Sequence, residues 1–172
     1  MHQPFLTSRA LSRRSVVSLG VCAACALGSS PAAAAGHCDV MLLTCMDYRL
    51  TGDIVRHMDG RGLSGDYDHV VLAGAALGAQ TRRRPAWRPT FWQHLDAAVS
   101  LHQIKKVMVL DHRDCGAYRL FLGERAVDTP EKEHAAHVAE LRRLRQQINA
   151  RRRGLEVELG LMALDGSVET IV

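Results

Sequence analysis

At 172 residues, with 47% hydrophobic and 23% charged residues, the chain has the make-up of one compact domain with a substantial core, which excludes disordered and fibrous classes. The formal net charge of +4 overstates its basicity, because residues 1–35 hold three arginines and no acidic group, leaving 19 basic against 18 acidic residues in the remainder. The short runs Arg82–Arg84 and Arg151–Arg153 have no interleaved aromatics and no nucleic-acid motif around them, which argues against a nucleic-acid interface.

In residues 1–35, Ser12-Arg13-Arg14 precedes an apolar stretch, Ser15 to Gly28, and then the small-residue run "SSPAAAAG". This resembles a bacterial twin-arginine export signal, with cleavage expected after Ala35 and residues 36–172 left as the mature domain. The apolar stretch is interrupted by Ser and Gly and falls short of the roughly 20 residues a membrane span needs. The expectation is therefore a periplasmic protein with no stable membrane insertion after processing. Of five cysteines, Cys22 and Cys25 belong to the leader, and the remaining Cys38, Cys45 and Cys115 are an odd set that argues against a disulfide framework. The leader's "CAAC" is the chain's one C-x-x-C, so a thiol oxidoreductase is disfavoured.

The mature chain alternates strand-like and helix-like segments, which predicts an α/β fold: a central, mostly parallel sheet of four to five strands flanked by helices. The first strand is "CDVMLLTCM", followed by a short helix in "GDIVRHMDGRG". "HVVLAGAALG" reads as the second strand, its small residues permitting close backbone approach. A Pro-marked loop leads to a helix over 91–102, with Thr90 and Gln93 spaced as a capping box. "KKVMVLDH" is the third strand, and "CGAYRLFL" a short helix stopped by Gly123. A longer helix spans 130–152, with Pro130 at its first position, Gly154 beyond its end and a core-facing stripe of Val138, Leu141, Leu144 and Ile148. A fourth strand, an Asp165-Gly166 turn and a short antiparallel partner close the chain.

Chemistry concentrates at two strand ends. In "LLTCMDYRL", Cys45, Asp47 and Arg49 recur at every second position, so a strand continuing through them would present all three on one face. In "DHRDCGAY", His112 and Cys115 stand where the third strand gives way to helix. Ligands of parallel sheets collect beyond the carboxyl ends of strands, so these two segments, distant in sequence, are expected to meet. Two thiolates and an imidazole are borderline-soft donors that suit zinc, and three protein ligands leave a fourth position for water.

H-x-x-C beside C-x-D-x-R, each after a predicted strand, resembles the β-class carbonic anhydrases through "CMDYR" (Cys45, Asp47, Arg49) and "HRDCGA" (His112, Cys115, Gly116). The order of elements agrees with that family over 39–172, including the closing hairpin "LMALDGSVETI". The resemblance implies one zinc ion per subunit on Cys45, His112 and Cys115, with Asp47 and Arg49 as the catalytic dyad beside it. It further implies reversible hydration of carbon dioxide to bicarbonate and a proton, in a homodimer or higher homo-oligomer. Carbonyl sulfide or carbon disulfide hydrolysis on the same site, or a non-catalytic zinc-binding homologue with Asp47 locked on the metal, are the alternatives. This chain departs from the family in having "LAGAALG" where an Arg-Asn-Ala-Gly stretch is common, Asp111 where Gly commonly precedes the zinc-binding His, and only a few residues between the expected cleavage site and the first strand, where family members often have an N-terminal helical arm. Asp111 and Asp114 are expected either to orient the ligands or to cap and solvate loops. His57, His69, His94, His102, His134 and His137 are candidates, by residue type, for carrying the released proton to buffer.

Overall fold

The computed structural model describes residues 36–172; the export-signal reading concerns residues 1–35 and lies outside the described residues. The strands are β1 (Val40–Thr44), β2 (Tyr67–Val71), β3 (Lys106–His112), β4 (Glu156–Met162) and β5 (Val168–Thr170). The helices are α1 (Thr51–Gly60), the single turn α2 (Ala75–Gly78), α3 (Trp87–His102), α4 (Gly116–Leu122) and α5 (Pro130–Arg151). The five strands form one sheet in the order β2-β1-β3-β4-β5, parallel from β2 to β4 with β5 antiparallel at the edge. This is the expected α/β architecture.

A parallel sheet covered on both faces needs strands that are apolar on both sides, and β1 and β3 meet that demand. On one face Met41, Leu43, Val107, Val109, Leu159 and Leu161 pack with Phe91 and Leu95 of α3, Tyr118 of α4, and Leu141, Leu144 and Ile148 of α5. On the other, Val40, Leu42, Met108, Leu110 and Met162 meet Leu50 together with Ile54 and Met58 of α1. Successive residues of β1 thus alternate between the two clusters, as the strand repeat requires. None of the helices among the described residues is long and apolar enough to cross a membrane.

Three local expectations are corrected. The second strand stops at Val71, and "LAGAALG" leaves the sheet through a tight turn into α2. Gly74 holds a left-handed φ of 78°, and a Cβ on Gly78 would fall 2.4 Å from the carbonyl oxygen of Ala73, so a regular strand cannot continue there. Helix α3 begins at Trp87 instead of Phe91, because Pro89 is tolerated in a first turn where its missing N–H costs nothing. Thr90 is therefore inside the helix, its hydroxyl donating to the Ala86 carbonyl at 2.8 Å, and no capping box forms. The α5 stripe is less apolar than its spacing implied: Val138 is half-buried, while His137 and Glu140 are buried beside Leu141, Leu144 and Ile148. The α5 start follows the expectation, with Pro130 first and Thr129 accepting from the Lys132 amide at 3.3 Å.

The crowding at Gly78 yields a test. Gly78→Ala should cost about 1–3 kcal/mol, the usual penalty of forced overpacking, read as a lowered urea midpoint. An unchanged midpoint would contradict the close approach of the Ala73 carbonyl.

Candidate metal centre

The strand order reverses between β1, which leads outward to β2, and β3, which leads the other way to β4. The crevice beyond these two carboxyl ends is where an open α/β sheet presents ligands. Register fixes the meeting point: Thr44, last in β1, pairs with Leu110, two residues before the end of β3. Cys45 follows Thr44, His112 closes β3, and Cys115 stands at the entrance to α4.

One donor atom each from Cys45, His112 and Cys115 lie within 4.8 Å of one another, and all three residues are buried. The two sulfurs are 3.9 Å apart. Tetrahedral thiolates at a usual zinc–sulfur length of about 2.3 Å would be roughly 3.8 Å apart, so the pair is spaced for one ion. The His112 imidazole donates from Nδ1 to the Arg113 carbonyl at 2.8 Å, which leaves Nε2 as the lone-pair nitrogen. That Nε2 is buried without a hydrogen-bond partner and lies 3.8 Å from Asp47 Oδ2. An orphaned imidazole nitrogen facing two sulfurs and a carboxylate fits a bound zinc, and the fit rests on this donor set.

Local electrostatics favour the anionic form of Cys45. The contact with Cys115, together with His112 and the Gly74 amide, lowers the pKa of the Cys45 thiol against the effect of its burial. Cys115 is raised by the neighbouring Cys45 sulfur and by burial. The Gly74 N–H approaches Cys45 Sγ at 3.2 Å, so the turn out of β2 donates to the sulfur that β1 delivers. Burial opposes protonation of His112, but Cys45, the Arg113 carbonyl and Asp47 outweigh it and raise its pKa.

Asp47 and Arg49 reach the site by a different route from the one the alternation implied. The strand ends at Thr44, and Tyr48–Leu50 form a 3₁₀ turn, so these residues do not share a strand face. Asp47 instead caps that turn, accepting from the Arg49 amide at 3.0 Å, and the Arg49 guanidinium folds back onto it. Nε donates to Oδ1 at 3.0 Å and Nη2 to Oδ2 at 2.8 Å, a two-pronged grip on one carboxylate. Arg49 thereby holds Asp47 down to about 2. Asp114 braces the far side of Arg49, accepting from Nη1 at 2.8 Å, and its own pKa is lowered by that guanidinium.

Asp111 points away from the His112 ring, since alternation along β3 sends the two to opposite sides. It is buried and accepts from the Ala76 amide at 2.9 Å, the Tyr118 hydroxyl and His137 Nδ1, the last at 2.9 Å. Of the other histidines, His69 bonds Thr44, His102 pairs with Asp68 and His134 with Glu169, and none of the six candidates lines the cleft over the site. His137 is sealed from solvent, which removes it as a direct route to buffer. The cleft, about 640 Å³, is walled by Ala73, Trp87, Ala117 and Phe121 beside Cys45 and Asp47. Sequence reading missed Gly74 and Trp87, because their role depends on turns that no periodicity announces.

No family model matches the chain. An uncharacterised protein of Rickettsia conorii is 38% identical over 131 residues, 76% of this chain and 70% of that protein. An uncharacterised protein of Rickettsia bellii is 37% identical over 131 residues, 76% of this chain and 80% of that protein. Among solved structures, carbonic anhydrase from Streptococcus mutans superposes with a TM-score of 0.55 at 16% identity, covering 95% of this chain and all (100%) of that one. β-Carbonic anhydrase isoform I of Trichomonas vaginalis gives 0.53 at 15% identity, covering 94% and 98%. One of two tetrameric β-carbonic anhydrases from Sordaria macrospora gives 0.52 at 13%, covering 80% and 82%. The fold is thus that of the β-carbonic anhydrases. By sequence the chain belongs to one family with the two rickettsial proteins.

The donor geometry predicts that Cys45→Ser and His112→Ala each lower bound zinc by one equivalent per chain, read by elemental analysis of purified protein. Undiminished zinc in both variants would exclude this centre.

Proposed function

We propose that the chain is an exported, zinc-dependent carbonic anhydrase that reversibly hydrates carbon dioxide to bicarbonate and a proton. The observation that carries this reading is the orphaned His112 Nε2, set among two cysteine sulfurs and the carboxylate of Asp47, which Arg49 grips at both oxygens. Zinc bound to Cys45, His112 and Cys115 would supply Lewis acidity, bringing the ionisation of a water toward neutral pH. The rest of the chemistry falls to the protein's own groups.

Asp47, kept ionised by Arg49, accepts a hydrogen bond from the reacting water and aims its free lone pair into the cleft. Two thiolates cancel the formal charge of a divalent ion and make acidification of water harder, so an ionised acceptor at this point is needed. The grip of Arg49 draws both oxygens of Asp47 toward the guanidinium, which favours an exchangeable fourth position over permanent ligation by Asp47 and so favours catalysis over a purely binding role. Asp114 keeps Arg49 in place. Ala73, Trp87 and Phe121 form an apolar wall suited to a small uncharged linear substrate. The proton leaves to buffer, because no histidine among the described residues lines the cleft.

We further infer residence in the periplasm and assembly as a homodimer or higher oligomer, the first from the leader-like residues 1–35 and the second by analogy with the tetrameric neighbours. Fractionation of cells expressing the whole chain should place it in the periplasm; recovery from the cytoplasm alone would contradict export. Zinc-loaded protein should show stopped-flow CO2 hydration. Arg49→Ala should keep its zinc while kcat/KM falls by about 100-fold or more, the scale seen when one fixed electrostatic contact is removed. Undiminished turnover in that variant would reject the dyad, and no turnover in the zinc-loaded parent would reject the activity.

A further inference from the structure

We propose that Cys38, Asp68 and His102 form a second metal site, for a borderline divalent cation such as zinc or cobalt, at the amino-terminal end of the sheet. One donor atom from each lies within 4.8 Å of the other two. Nothing in the proposed reaction uses these residues: Cys38 and Cys45 bracket β1, so the two clusters are roughly 20 Å apart at a normal strand rise.

Three elements deliver the donors. Cys38 precedes β1, and its amide donates to the carbonyl of His102 at the end of α3, at 3.4 Å. Asp68 lies in β2, where the register pairs it with Met41. The imidazole Nδ1 of His102 is 2.9 and 2.8 Å from the two Asp68 oxygens, so carboxylate and ring already face each other. Cys38 is buried, whereas the side chains of Asp68 and His102 are 28% and 22% exposed, which gives an ion a path in from solvent.

The chemistry balances without another partner. The Cys38 thiol makes a weak contact with the Val40 carbonyl at 3.7 Å, which a metal–sulfur bond would replace. Binding sends the thiol proton to solvent, and thiolate plus carboxylate then neutralise the divalent charge, with imidazole as the neutral third donor. Sulfur, nitrogen and oxygen together select a borderline cation over calcium or magnesium, which want oxygen alone. A cavity of about 190 Å³ opens beside Asp68 and His102, bordered by Met41, His94 and Leu101, with room for water in the remaining position. The ion would tie the starts of β1 and β2 to the end of α3, a structural role.

The test is a titration of the demetallated full chain with cobalt(II), following thiolate-to-cobalt absorption in the near ultraviolet. The parent should take up two equivalents, and Cys38→Ser and Asp68→Asn should each take up one. Cys45→Ser should also keep one equivalent with a thiolate band, now from Cys38. The second equivalent should raise Tm in the parent and leave Asp68→Asn unmoved. Uptake of a single equivalent that Cys45→Ser abolishes would overturn this site and leave the first intact. A second equivalent that persists in both Cys38→Ser and Asp68→Asn would overturn it as well. A Cys45→Ser protein that binds one ion while the parent binds only one would keep this site and remove the zinc centre on which the enzymatic reading rests.

Discussion

The sulfurs of Cys45, just past β1, and Cys115, in the turn that follows β3, sit 3.9 Å apart because the parallel pairing of those strands brings their carboxyl ends side by side. The proposed catalytic chemistry depends on that pairing. Thr44 opposite Leu110 sets how far each strand runs before its polar residues begin, and a slip of one residue would turn His112 to the face that Asp111 now occupies. The register is held by the cores on both sides of the sheet, with Met41, Leu43, Val107 and Val109 on one face and Leu42, Met108 and Leu110 on the other. Packing energy is thereby converted into donor geometry, since a shift that misplaced the ligands would also expose these side chains.

A second constraint comes from the buried carboxylate that adjoins the site without joining it. Asp111 gathers the Ala76 amide, the Tyr118 hydroxyl and His137, so one charged group anchors α2, α4 and α5 to the end of β3. Burying a carboxylate is costly unless its oxygens are satisfied, and here they are. The consequence reaches the candidate metal site: fixing Ala76 fixes the turn through Gly74, whose amide donates to Cys45. Asp111 and "LAGAALG", two of the three places where the chain departs from the pattern it resembles, are therefore joined by a hydrogen bond.

The architecture was legible in the sequence because it rests on long apolar strands and on punctuation. "VMLLT" and "KVMVLDH" are buried runs in the structure, Pro130 and Thr129 open α5, and Asp165-Gly166 makes the final hairpin. The candidate metal donors were legible as residue types at strand ends. The means by which Asp47 and Arg49 enter was not, because a 3₁₀ turn and a strand extension can carry the same alternating letters, and the turn is capped by the Asp47 carboxylate accepting from the Arg49 amide. "LAGAALG" was misread as strand for a related reason: its small apolar residues satisfy a strand pattern, while the limits that end it, the left-handed Gly74 and the carbonyl packed against Gly78, are steric and visible only in three dimensions. His137 and Glu140 were hidden within a helix whose spacing announced an apolar face, and their burial makes sense only beside Asp111, Arg143 and Gln80.

The most direct measurement is an anomalous difference map at the zinc absorption edge from crystals of the zinc-loaded protein. The account predicts a peak bounded by Cys45 Sγ, His112 Nε2 and Cys115 Sγ, with Asp47 held by Arg49 at its margin. A map with no zinc between those three atoms, in protein shown by analysis to carry the metal, would contradict it.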